Sequence, residues 1–190
     1  MITILKPEAF ISIGVLNFNE FSFIQPNLSK RELEKAGTIY LLEKLFIGSK
    51  VNLKYTVTNK PYLFNRTEHI SISHSHDYLV IIVNEKENTG IDIELIRDKV
   101  LKLQGKFLNN TELIFAGNNI EKLITLWAAK EALYKVYGLK ELDFKTNLII
   151  DNFSDDILVG KIETNSVKKK YKLKCETLGE YKMVYILNEI

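Results

Sequence analysis

The stretch IEKLITLWAAKEALYKVYG, Ile120–Gly138, decides the fold class. Leu123, Ile124, Leu126, Trp127, Ala128, Ala129, Ala132, Leu133 and Val136 recur at helical spacing, and Gly138 stands where a helix commonly stops. Everything after it reads as strand: Asn147–Asp151, Ile157–Ile162, Val167–Cys175 and Tyr181–Asn188 form a meander pattern. A long helix followed by a run of strands points to an α+β fold with antiparallel sheets, not to alternating βαβ units.

Working outward, Ser29 to Phe46 is a second amphipathic helix. Ser29 and Glu32 have the spacing of a capping box, and Gly48 lies just past the end. Leu33, Ala36, Ile39, Tyr40, Leu42 and Leu45 form its apolar stripe. A shorter helix starts near Asn110, with Glu112 in its first turn. Tyr78–Val83 reads as a buried strand and Gly90–Leu95 as another, and the simplest arrangement pairs them as an antiparallel hairpin. The natural division falls near residue 88, giving lobes 1–88 and 89–190, each with one main helix and a few strands.

The chain has 190 residues, 46% hydrophobic, with a net charge of +2, enough for a core and too little charge for a bulk attraction to nucleic acid or membranes. The lysines 168, 169, 170, 172 and 174 alternate with Tyr171, Leu173 and Cys175, which reads as a strand with one solvated face. Cys175 is the single cysteine, so no internal disulfide forms and a reducing compartment fits. The N-terminal stretch, interrupted by Pro7 and Glu8, reads as neither signal peptide nor membrane span, and the expected location is the cytoplasm.

The chemistry is carried by two segments. In Gly90-Ile91-Asp92-Ile93-Glu94, strand alternation sends Asp92 and Glu94 to one face and Ile91, Ile93 and Leu95 to the other. Adjacent carboxylates repel, and a hard cation between them relieves the repulsion. Alone, the pair reads as acidic residues on the wet face of a hairpin. On the Ile120–Tyr137 helix, Trp127, Glu131 and Lys135 share a face. Alone, Glu131 and Lys135 read as an exposed ion pair, with Trp127 as packing.

Taken together, the segments resemble the 4'-phosphopantetheinyl transferase superfamily. Its pattern is a G-[IV]-D-x-E strand followed, several tens of residues on, by W-x-x-K-E-[AS]-x-x-K on a helix, here Gly90, Ile91, Asp92, Glu94 and then Trp127, Lys130, Glu131, Ala132, Lys135. Lys106-Phe107-Leu108 with Glu112 resembles the family's F-x-x-x-x-E region. Asn59-Lys60-Pro61-Tyr62-Leu63 resembles its G-K-P turn, with Asn59 in place of Gly, and Ile70-Ser71-Ile72-Ser73-His74-Ser75 its S-H segment. The layout is closest to the two-lobed, surfactin-synthetase-activating type, which implies a monomer with two similar α+β lobes.

The resemblance implies an enzyme that moves the 4'-phosphopantetheine arm of coenzyme A to a serine of an apo acyl or peptidyl carrier protein and releases 3',5'-ADP. It implies Mg²⁺ held by Asp92, Glu94 and Glu131, catalysis by Glu131 and Lys135, and coenzyme A gripped by Lys60, Ser73, His74 and Lys130, with Lys30 and Arg31 placed to meet the 3'-phosphate. Two other readings compete. One is a non-catalytic carrier- or nucleotide-binding protein on the same fold. The other is a zinc hydrolase using His74 and His76, which share a face if their segment is extended.

Overall fold

Among the described residues, two larger antiparallel sheets each carry one long helix, and a two-stranded sheet accompanies the first. The structure is a computed structural model that describes residues 2–139, 141–154 and 156–190. It divides into two units, Met1–Thr89 and Gly90–Ile190.

The first unit opens with the strands Ile2–Glu8 (β1) and Ile11–Asn17 (β2), a hairpin that the sequence reading leaves unassigned. The helices Phe18–Ile24 (α1) and Lys30–Leu45 (α2) follow. Then come Leu53–Tyr55 (β3), Pro61–Leu63 (β4), His69–Ser75 (β5) and Tyr78–Asn84 (β6). The main sheet has the order β1-β2-β6-β5, and β3 and β4 form a small hairpin. The Ser29–Glu32 capping box starts α2 as its spacing predicts.

The buried strip of α2 is Gly37, Thr38, Leu41 and Leu42, while Ile39, assigned to the apolar stripe, is 58% exposed. The strip is shifted because Gly37 lets the helix lie close to the sheet. A Cβ there would stand 2.8 Å from the Leu16 side chain. Glycine carries no apolar signal, so a pattern count passes over it.

The second unit starts with the strand Ile91–Leu95 (β7) and a 3-10 turn at Asp98–Lys102. The helices Gln104–Phe107 (α3), Asn110–Ala116 (α4) and Ile120–Tyr137 (α5) follow. Leu148–Ser154 (β8), Ile157–Glu163 (β9), Lys168–Leu178 (β10) and Tyr181–Glu189 (β11) complete the meander. The sheet order is β7-β11-β10-β9-β8, all antiparallel. Leu123, Leu126, Ala129 and Leu133 of α5 are buried in one core with Leu148, Leu173, Val184 and Ile186. Gly138 ends α5 with φ +70°, a conformation that costs glycine little.

The expected hairpin between Tyr78–Val83 and Gly90–Leu95 does not form. β6 pairs with β2 and β5, and β7 pairs with β11, placing Asp92 opposite Val184 and Glu94 opposite Lys182. The intervening residues serve as a connection between sheets, not as a tight turn. The Asn84 side chain accepts from the backbone N–H groups of Lys86 and Glu87 there.

On β10, Tyr171 and Leu173 are buried while Lys168, Lys170 and Lys172 are exposed, as the alternation predicts. Cys175 is half-buried beside Thr125, and burial pushes its thiol pKa up, which suits a packed, unreactive group. No helix of the described residues is long and apolar enough to cross a membrane.

Candidate active site

Gly90 lets β7 approach α5. A Cβ at this position would stand 2.0 Å from the Ala132 carbonyl oxygen, so any other residue would hold the strand away from the helix. With the two elements this close, successive residues of β7 divide as alternation requires. Ile91 and Ile93 are fully buried on one face, and Asp92 and Glu94 turn toward α5. Asp92 is only 4% exposed, so it is not on a wet face at all.

Three side chains one turn apart on α5 meet this pair. Trp127 donates its indole N–H to Glu94 Oε1 at 3.0 Å. Lys135 donates to Asp92 Oδ1 at 2.7 Å and to the Ile91 carbonyl at 3.0 Å. Glu131 lies between them on the same face. Burial raises its pKa most, the Asp92 charge adds to this, Lys135 opposes it and Glu94 adds a further push, leaving the carboxyl at about 7. A carboxyl group in that state is poised to gain or lose a proton near neutrality.

The same three carboxylates suit a hard divalent cation. They offer oxygen donors only, a cation would remove the repulsion that adds to the effect of burial on Glu131, and an ammonium already pairs with Asp92. As they stand, no three His, Cys, Asp or Glu side chains among the described residues are gathered closely enough to hold a metal. To hold an ion the carboxylates would have to draw together, beside a Lys135 ammonium that already occupies one oxygen of Asp92.

Lys130 must be removed from the group expected on coenzyme A. It is fully buried, and its ammonium donates to Glu112 Oε2 at 2.6 Å, to the Phe107 carbonyl at 2.8 Å and to the Phe144 carbonyl at 2.7 Å. An ammonium has three N–H donors, and all three are engaged inside the protein. Glu112, also fully buried, accepts in addition from the backbone N–H groups of Ile150 and Asn109. The role of Glu112 as the counter-ion of Lys130 is absent from the sequence reading. The available signal was Asn109 three residues before Glu112, the capping-box spacing that the structure realises.

In the first unit, the structure separates the expected coenzyme A residues. Arg31 and His74 line one groove of about 880 Å³, together with Glu34, Lys35, Ile39 and Tyr55. His74 Nδ1 stands 3.6 Å from Glu34 Oε1. Lys30 is exposed and does not line the groove. Ser73, next to His74 on β5, points to the opposite face and is buried. Lys60 lines a different cavity of about 200 Å³ with Tyr62, Glu68 and His69, and burial lowers its pKa. Pro61 borders both spaces. Asn59, standing where the family has Gly, adopts φ +66° and so takes the left-handed turn conformation that asparagine tolerates.

His74 and His76 do not share a face. β5 ends at Ser75, and His76 takes a left-handed conformation, φ +47°, in the turn to β6. The extended segment that the zinc reading needs is therefore one residue too short.

No curated protein matches the chain. A model of the 4'-phosphopantetheinyl transferase superfamily matches residues 88–186. The match spans β7, with Asp92 and Glu94, and α5, with Glu131 and Lys135, and covers more than half of the chain. The chain thus belongs to the 4'-phosphopantetheinyl transferase superfamily.

Proposed function

We propose that the protein transfers the 4'-phosphopantetheine arm of coenzyme A to a serine of an apo acyl or peptidyl carrier protein, with Mg²⁺, releasing 3',5'-ADP. We read it as a cytoplasmic monomer of the two-lobed, surfactin-synthetase-activating type. One observation carries the reading. Carboxylates from β7 and α5 meet in one buried space, where burial first and then the charges of Asp92 and Glu94 raise the proton affinity of Glu131.

The residues divide the work as follows. Asp92, Glu94 and Glu131 would hold the cation. Bound there, Mg²⁺ would supply charge neutralisation at the pyrophosphate of coenzyme A and polarise the phosphoryl group. Glu131, standing between Trp127 and Lys135 on α5, accepts the proton of the serine hydroxyl. The serine oxygen bonds to the phosphorus next to pantetheine, and the bond from that phosphorus to the bridging oxygen breaks. The leaving 3',5'-ADP carries away the electron pair. Lys135, drawn off Asp92, meets the charge that develops on it. In the first unit, the groove holding Arg31 and His74 suits a phosphorylated nucleoside, and Lys60 supplies a further cation on the other side of Pro61.

The test is incubation of the protein with coenzyme A, Mg²⁺ and a panel of apo carriers, read by intact mass. The expected result is one pantetheine phosphate added per carrier, lost when the carrier serine is changed to alanine. Coenzyme A binding with no mass gain on any carrier would instead support the non-catalytic reading.

A further inference from the structure

The chain has a single tryptophan, and its indole N–H is hydrogen-bonded to Glu94. The ring is fixed from two directions. Phe107 meets it edge-on, with centroids 5.0 Å apart and planes at 76°, and Phe144 stacks on it at 5.6 Å and 25°. The backbones of these two residues are fixed in turn. The Lys130 ammonium holds the carbonyls of both Phe107 and Phe144, while its third contact is the buried Glu112. Lys130 lies three residues after Trp127 on α5. One turn of helix therefore carries the indole and the ammonium that secures its two aromatic neighbours.

We infer that Trp127 is a positioning residue whose indole N–H aims the Glu94 carboxylate into the space it shares with Asp92 and Glu131. The inference rests on the reading of that space as a divalent-cation site. Its physical basis is local. A glutamate side chain has three rotatable bonds, and near two other carboxylates it lowers its energy by swinging away. A hydrogen bond from a clamped indole opposes that swing and removes rotamer freedom before the cation arrives. Partners of this kind commonly account for 10- to 100-fold in metal affinity.

Trp127→Phe tests the inference because it keeps an aromatic ring between Phe107 and Phe144 and removes the N–H, along with part of the indole's volume. Calorimetric titration of the full chain with Mn²⁺, without coenzyme A, should give a Kd roughly tenfold or more weaker than wild type. In turnover, the KM for Mg²⁺ should rise more than kcat falls. Equal Mn²⁺ affinity in variant and wild type overturns the inference and leaves the cation site standing. A wild-type protein that takes up no Mn²⁺ overturns both. A second measurement does not need Trp127→Phe to fold. ¹⁵N-labelled wild type has one indole N–H resonance, which should shift on addition of Mg²⁺ and lose that response in Glu94→Gln. A resonance unmoved by saturating Mg²⁺ overturns the inference.

Discussion

Lys135 bridges the last turn of α5 to β7, its ammonium 2.7 Å from Asp92 Oδ1. The residue expected to meet phosphate thus rests on a residue expected to hold metal. Lys135→Met removes a competitor for Asp92. The free protein should then bind Mg²⁺ no more weakly than wild type in calorimetry. Transfer should fall by roughly two orders of magnitude or more, since the charge on the leaving group is no longer met. Mg²⁺ binding and transfer lost in parallel would show that Lys135 acts only by shaping the metal site.

Glu131 sets a pH dependence whose sign follows from its raised pKa. The folded, metal-free protein holds the Glu131 proton up to about pH 7, while the unfolded chain releases it near 4.5. Between those values the folded state binds more protons, so stability is full below about pH 4.5 and declines as pH rises to 7. Glu131→Gln should remove this decline. It should make the metal-free protein more stable than wild type at pH 8 by about 3 kcal/mol, checked by urea unfolding at several pH values. The same variant should lose transfer.

Lys130→Met should destabilise the fold by about 3–5 kcal/mol, because it strands the Glu112 carboxylate inside the second core. The double variant Lys130→Met with Glu112→Gln removes both charges and should recover part of that loss, since glutamine still accepts one backbone N–H. Coenzyme A affinity of the folded double variant should stay within a few-fold of wild type. A phosphate ligand at Lys130 would give the opposite result.

Gly90→Ala places a methyl group where the Ala132 carbonyl stands. We expect a loss of about 3 kcal/mol or more in stability, and loss of transfer in whatever remains folded, since β7 must move off α5. Thermal unfolding followed by circular dichroism measures the first effect and carrier mass the second.

In the first unit, Arg31→Ala should raise the KM for coenzyme A about tenfold with a smaller effect on kcat, a loss of the size expected for one charge-assisted contact. Lys30→Ala should change neither by more than about twofold, because Lys30 does not line the groove and exposed charges contribute little. Steady-state kinetics with both variants checks the pair.

What the sequence by itself determined were the features carried by local spacing. The Ser29–Glu32 capping box set the start of α2, the meander after Gly138 set the class, and the spacing of Asp92, Glu94, Glu131 and Lys135 put each on one face of its own element. What only the tertiary structure decided were pairings between distant residues. Local pattern could not tell that β7 pairs with β11 and not with β6, because a strand's alternation is the same whichever neighbour it takes. Nor could it tell that Lys130 and Lys135, five residues apart on one helix, have opposite fates. One lies in the core against Glu112 and two carbonyls, and the other stands on Asp92 at the site. The physical reason is that a lysine's role depends on the acceptors around its ammonium, and those come from elements 18 and 43 residues away in the chain.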